Sequence, residues 1–491
     1  MAKRYKYRAG AIGVLLLLGT GMLSCREKAP EEKALSSCKA NFTQLHGIRR
    51  AGTRDGMQLQ VFAFPASAML DNSDADTAAT CTFEIEGPNV SKDNLFFRYG
   101  REDAEKIEVS RLGKNHLRIR YPIGPHSYGL VSLEPPLKAP EDPYEFVHHE
   151  SSCRLEGCVY LRQEGQQSVL RLLGPAAVVH LHNDSDGRNK VDLVIENFSS
   201  RLSDYAMRGE GGAGDLRLSN SKPLELSLKG NLGPGENACL MITARRLPYP
   251  FSFIFGGDIK QHLPTFERLV SKVVQKSDPL FMLAVGDYTR NSLPAELDTF
   301  FNSLKRLAFP VCSVKGNHEA RCQGDVHYAR LFGPSRYEFT VDRLLFLVLD
   351  SNRRTRDGYT LGGEQLAWLD ERLAVHGEIP FKIVALHVPP HPLHGKSLRP
   401  EYSQNLASED ARRLFELAEK HQVSYVLSGH AHLWARRQDA GVIYLTSGGG
   451  GAALYSHNPL PGFSIDTRKH LMLMHVHADG IEEEKIFLAD E

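Results

Sequence analysis

Between residues 38 and 246 apolar and polar positions alternate with a period of two. Gln58-Leu59-Gln60-Val61-Phe62-Ala63-Phe64 alternates up to Pro65, and Cys81–Ile85, His116–Tyr121, Val178–His182 and Val191–Ile195 repeat the pattern. Alternation of this kind places one set of side chains on each face of a strand. Turn-forming clusters, Asn183-Asp184-Ser185-Asp186-Gly187 and Gly233-Pro234-Gly235-Glu236-Asn237, punctuate the runs. Many short strands so separated predict a mostly-β, sandwich-like N-terminal region. From Phe251 the texture changes. Apolar runs at Phe251–Phe255, Leu280–Val285, Phe309–Val314, Leu344–Leu349, Phe381–Leu386, Val423–Leu427 and Val442–Leu445 interleave with helical periodicity at Leu263–Gln275, Pro294–Leu307, Glu364–Ala374 and Ser408–His421. Buried strands alternating with amphipathic helices predict a layered α/β domain, and such folds bind ligands at the carboxyl ends of their strands.

The N-terminus reads as a targeting segment. Lys3, Arg4, Lys6 and Arg8 precede an apolar stretch from Ala9 to Leu23. That stretch is shorter than the roughly 20 apolar residues of a membrane span. Met22-Leu23-Ser24-Cys25 resembles the bacterial lipoprotein signal, in which the Cys is lipidated; an ordinary cleaved signal is the alternative. The expected division is a signal peptide at 1–24, a lipid-anchored linker at 25–37, a β-rich domain at 38–150, a β-sandwich-like domain at 151–247 and the α/β domain at 248–491. The expected location is exported, membrane-anchored through lipidated Cys25 on the periplasmic or cell-surface side.

Composition changes this picture little. Lys+Arg and Asp+Glu are both 59, so no global charge favours a nucleic-acid polymer as partner. Export permits disulfides, and Cys153–Cys158 and Cys312–Cys322 are close enough in sequence to pair. Oligomeric state leaves no mark on the sequence.

Candidate chemistry is concentrated in the α/β half. Gly257-Asp258, Gly286-Asp287, Gly316-Asn317-His318-Glu319, His387 and Gly429-His430-Ala431-His432 each follow a short apolar run. Carboxylate, amide oxygen and imidazole are the donors that hold hard or borderline metal ions. Taken singly, Asp258 and Asp287 would be turn acids, Asn317 a turn residue and His387 a half-buried histidine; their ordered coincidence changes the odds.

These blocks resemble the calcineurin-like metallophosphoesterase family, whose pattern is D-x-H, GD, GNH(E/D), H and GHxH. The resemblance implies a four-layer β-sandwich flanked by helices over 248–491. It implies a hydrolase of phosphate monoesters or diesters that uses hydroxide activated by two metal ions (iron, manganese or zinc). By the same resemblance Asp287 would bridge both ions, Asp258 and His432 would hold one, and Asn317, His387 and His430 the other. His318 would stand beside the phosphate as a catalytic group together with Asp287. One departure matters. The first block reads Asp258-Ile259-Lys260, so Lys260 occupies the usual His position and an ammonium cannot ligate a cation. His262 is a possible substitute, and Lys260 and Arg290 are candidates for contacting the substrate phosphate. Purple acid phosphatases also lack that His but carry a Tyr three residues after the bridging Asp. Arg290 stands there, and Tyr288, adjacent to Asp287, would point the other way. The alternative is a surface lipoprotein with a weakened site acting as a binding or scaffold module. Gly448–Gly451 is expected to pack tightly near the site rather than cradle phosphate, because no helix start follows it. His391, His394 and His457 read as exposed loop residues, with the substrate mouth as the alternative for His391 and His394.

Overall fold

The structure is a computed structural model. It describes residues 142–488 apart from 211–214, 261, 291, 293, 322–323, 356, 394–403 and 456–459; between residues 34 and 141 it describes the strands and little else. Residues 1–33 with Cys25, and also Cys322, His394 and His457, lie outside the described residues. Among the described residues no helix is long and apolar enough to cross a membrane.

The alternating N-terminal runs form strands in two sheets. One has the order Ala34–Asn41, Ala79–Glu86, His116–Ile123, Glu108–Gly113; the other has the order Gly47–Gly52, Gln58–Phe64, Ser67–Asn72, Ser127–Ser132, Phe96–Tyr99. A second pair of five-stranded sheets follows. Strand Ser151–Glu156 buries every other residue, so that Cys153 and Leu155 face Leu170, Leu193 and Leu240 in the core. This sheet already contains Glu145–His148, which forms a hairpin with Ser151–Glu156. The second sandwich therefore begins ahead of the expected boundary at residue 151. Cys153 and Cys158 do not pair, and Cys312 is also free. Each sits in a packed core, where burial pushes the thiol up to about 12.

The C-terminal half has the expected four layers. Its first sheet runs Val311–Ser313, Met282–Ala284, Phe251–Gly256, His470–Val476, Ile481–Phe487; its second runs Tyr337–Val341, Leu344–Val348, Phe381–Ala385, Tyr425–Ser428, Val442–Ser447, Trp434–Asp439, Ser464–Asp466. Strand Phe251–Gly256 is buried along its whole length, which is why its sequence is a continuous apolar run. Between the sheets Phe253 stacks on Phe281 with ring centroids 4.8 Å apart and meets Phe346 edge-on at 5.7 Å. Helices Leu263–Lys276, Pro294–Leu304 and Gly324–Phe332 cover the first sheet, burying Phe266, Leu297 and Phe332 against Ile254 and Met282. Helices Gly362–Val375 and Ser408–Lys420 cover the second with Leu369 and Leu414.

The second sandwich and the α/β half share one core: Val159, Leu161, Leu173 and Leu202 pack in the same cluster as Phe253 and Phe281. The sandwich also closes the open edge of the first sheet, where an unpaired strand would otherwise expose its polar backbone. Val311 N–H donates to Asn197 Oδ1 at 2.8 Å, and Val311 C=O accepts from Arg171 Nη2 at 2.8 Å. Arg171 is buried over the rings of Phe301 and Phe332.

Candidate metal centre

Five strands of the two sheets end at one rim, and each delivers a candidate ligand there. Asp258 follows Phe251–Gly256, Asp287 follows Met282–Ala284, Asn317 and His318 follow Val311–Ser313, His387 follows Phe381–Ala385, and His430 and His432 follow Tyr425–Ser428. Close passage of these loops explains the glycines that precede the ligands. A Cβ on Gly286 would stand 2.6 Å from Gly316 N and 2.7 Å from His387 Nδ1; one on Gly429 would stand 2.7 Å from Asp258 Oδ2. Asp258, Lys260, Asp287 and His430 all adopt positive φ, at 59, 50, 56 and 66°. Strain of this kind on non-glycine residues persists where surrounding structure imposes it, and it concentrates at functional sites.

The ligand candidates fall into two overlapping groups, Asp287–His387–His430 and Asp258–Asp287–His432, and within each group the donor atoms lie within 4.8 Å of one another. Asp287 is common to both. Asn317 joins the first group: its Oδ1 lies 3.0 Å from His387 Nε2 and 2.9 Å from His430 Nδ1. Asp287 Oδ1 is 3.2 Å from His387 Nε2, and Asp258 Oδ1 is 3.3 Å from His432 Nε2.

Backbone carbonyls fix which ring nitrogen each histidine turns inward. His387 Nδ1 faces Val285 O at 2.7 Å, His430 Nε2 faces Gln404 O at 2.9 Å, and His432 Nδ1 faces Ala453 O at 2.6 Å. Each of those nitrogens carries the proton and donates it. The lone pairs therefore converge from His387 Nε2, His430 Nδ1 and His432 Nε2, the usual way ligand histidines are oriented. Asp258 Oδ1, Asp287 Oδ2 and His432 Nε2 are buried and have no hydrogen-bond partner. Orphaned acceptors aimed into one pocket are costly unless a cation satisfies them, so the residues present fit a pair of metal ions. Electrostatics agree. Burial would raise the Asp287 carboxyl, but His318, His387 and Lys260 hold it well below the usual range. Burial would lower His387, yet Asp287 and Asp258 push it up to about 9. Asp258 and Asp287 thus draw positive charge toward the pocket.

His318 is placed beside the centre, its Nε2 3.7 Å from Asp287 Oδ2. Its Nδ1 lies 2.5 Å from Arg290 O, and its Nε2 lies 3.3 Å from Arg321 Nη2. Burial and Arg321 hold the imidazole well below its usual range, so it is neutral. Nδ1–H then donates to the Arg290 carbonyl, and Nε2 accepts from Arg321. Arg321, three residues beyond the motif histidine, is a site residue that the sequence reading missed. Arg290 itself contributes its carbonyl to this arrangement. Tyr288 is buried, and its hydroxyl donates to Ala284 O or Val314 O, away from the pocket. His262 is exposed and offers no substitute ligand. His391 is not an exposed loop residue: it is half-buried, stacked on Phe415 and edge-on to Tyr444 and Phe463. The glycine run packs as expected, with Gly450 N–H donating to Gly257 O at 3.0 Å and Ala452 N–H to Asp258 O at 2.8 Å.

Glu319 is the second residue whose role was not visible in advance. Its carboxylate accepts from the backbone N–H of Asp287 at 2.7 Å, Tyr288 at 2.9 Å, Thr289 at 3.1 Å and Gly316 at 3.1 Å. It ties two ligand-bearing loops together. Glu319→Gln places an NH2 among N–H donors and is expected to weaken metal affinity by about 10–100-fold, the usual effect of losing a supporting hydrogen-bond partner. Calorimetric titration of the metal-free protein checks this; an unchanged affinity would remove the role.

This α/β/β/α sandwich, with two fused Asp/His donor groups at its strand ends, defines a metallophosphoesterase-type domain. Residues 251–433 match the family model of the calcineurin-like phosphoesterases. A protein of Synechococcus named as a probable cyclic nucleotide phosphodiesterase is 26% identical over 174 residues, which cover 34% of this chain and 64% of that protein. The 3',5'-cyclic-nucleotide phosphodiesterase of Nostoc is 26% identical over 167 residues, covering 34% of this chain and 60% of that protein. The chain thus spans under two thirds of the length of both relatives. Among solved structures, a purple acid phosphatase from yellow lupin seeds is similar with a TM-score of 0.41 at 14% identity, over 63% of this chain and 70% of that one.

Proposed function

We propose that the chain hydrolyses phosphate esters, phosphodiesters of the cyclic-nucleotide class first among them, with two metal ions held at the strand-end rim. The observation that carries this reading is the set of buried acceptors without a hydrogen bond, Asp258 Oδ1, Asp287 Oδ2 and His432 Nε2, gathered at the strand ends. The names of the two relatives support the diester class. Asp287 would be shared between the ions; Asp258 and His432 would complete one shell, and Asn317, His387 and His430 the other. When bound, the ions would supply Lewis-acid polarisation of the phosphoryl oxygens and a nucleophile from water at neutral pH. The chain's own residues do the rest. The Lys260 ammonium and the Arg321 guanidinium border the pocket and attract an anionic phosphoryl group. Neutral His318, held through Arg290 O and Arg321, lies beside Asp287, where its imidazole and the Arg321 guanidinium would border the phosphoryl group. Lipid anchoring through Cys25 would hold this activity at a membrane surface.

The test is hydrolysis by the purified chain of bis(p-nitrophenyl) phosphate, p-nitrophenyl phosphate and cyclic AMP, each with added manganese, iron or zinc. Diester turnover that chelator abolishes and metal restores is the expected result. No turnover above a heat-denatured control in any combination would overturn the reading. It would favour a scaffold with a weakened site, which Lys260 alone motivates.

A further inference from the structure

We propose that Lys260 makes the two cation positions unequal, so that the chain holds one ion tightly, at Asp287–Asn317–His387–His430, and a second only weakly, at Asp258–Asp287–His432. This rests on the two-metal reading above and concerns how that site is loaded.

The geometry places the ammonium in competition with one cation and not the other. The two oxygens of Asp287 have different surroundings. Oδ1 accepts His318 N–H at 2.9 Å and faces His387 Nε2 at 3.2 Å. Oδ2 has no hydrogen-bond partner, and the Lys260 ammonium stands 3.4 Å from it. Backbone hydrogen bonds fix that placement. Ile259 and Lys260 N–H both donate to Asp287 O, at 2.9 and 2.8 Å, and Asp258 N–H donates to Gly286 O at 2.9 Å. The loop is thereby strapped to the turn that carries Asp287, and Lys260 is held at φ 50°. Its side chain is only 17% exposed, so it is directed into the pocket rather than out to solvent.

The consequences differ between the two groups. The His387–His430 group keeps its full donor set, with Asn317 supplying a neutral oxygen and both rings fixed by backbone carbonyls. The His432 group has Asp258, His432 and a share of Asp287, and no other donor from its own loop, because His262 is exposed. A cation entering there loses a ligand and must also approach a fixed positive charge only a few ångströms away. Each of these effects is expected to cost at least about tenfold in affinity.

The experiment uses the purified full chain, stripped with chelator and desalted, then titrated with Mn²⁺ by calorimetry. Metal retained after a second desalting is counted by elemental analysis. The parent is expected to retain one ion per chain and to bind a second at least about tenfold more weakly. Lys260→His adds a donor and removes the charge; it is expected to retain two ions and to tighten the second by about a hundredfold, the product of the two effects. Lys260→Gly, well suited to the left-handed backbone, removes the charge alone and is expected to fall between them. Two equally tight ions in the parent, or a second-ion affinity that neither substitution improves, would overturn the proposal. In the first case the phosphoesterase reading survives; metal bound by none of the three proteins would sink both.

Discussion

Asp287→Asn is expected to abolish metal-dependent hydrolysis, lowering turnover at least about a thousandfold, or ~4 kcal/mol in barrier height. The substitution keeps shape and volume but removes the charge shared by the two donor groups. The amide's single oxygen can face His387 or the Lys260 side, not both, and its NH2 would point at a cation or at His318. Because the side chain stays isosteric, the fold is expected to persist, and a circular-dichroism spectrum matching the parent would confirm it. Elemental analysis should show metal lost from both positions. Turnover within tenfold of the parent, with metal content intact, would rule out the bridging role.

Glu196→Ala is expected to destabilise the junction between the sandwich and the α/β half. The Glu196 carboxylate is buried between Arg162 Nη2 at 3.0 Å and Lys305 Nζ at 3.1 Å, with fully buried Arg171 adding to the field. Burial would raise this carboxyl, but Arg162, Lys305 and Arg171 outweigh it and hold it below 4.5. Without it Arg162 still pairs with Glu164 and Lys305 is 43% exposed, but buried Arg171 loses its counter-charge, at about 3 kcal/mol, which at roughly 2–4 °C per kcal/mol lowers the melting temperature by roughly 6–12 °C. The sign of the pH dependence follows from the lowered folded value. The stabilisation is present above the unfolded value of 4.5 and is lost as pH falls through the folded one. The gap in melting temperature between parent and variant should therefore be widest near neutrality and narrow in acid below that value. A gap independent of pH would mean that the carboxylate stabilises by packing and not by charge.

The layers of the α/β half were legible because its strands are buried on both faces and its longer helices bury one stripe, giving two different periods. Helix Gly324–Phe332 was missed: it is short, and its aromatic residues Tyr328 and Phe332 read equally well as strand. The hairpin Arg353–Thr355 with Gly358–Thr360 was missed because its strands are three residues long, too short to show alternation. The ligand candidates could be read as local strings ending each strand, and the structure brings all six together. The supporting groups could not. Gln404 O and Ala453 O are backbone atoms, whose position no side-chain pattern encodes, and Glu319 acts through four N–H groups drawn from two loops. The interface with the sandwich was invisible for a related reason: Arg171 and Asn197 read as ordinary strand and turn residues until tertiary packing sets them against Val311.

That edge contact bears on how the molecule is made. The Asn197 amide and the Arg171 guanidinium belong to a segment that leaves the ribosome well before Val311. The template that receives the outermost strand of the first sheet can thus be in place before that strand arrives. Strand Val311–Ser313 leads directly into Asn317 and His318, so docking of this edge also positions two groups of the candidate metal centre. A circular permutant that delivers the α/β half first should aggregate more during synthesis, even though every native contact remains available to it.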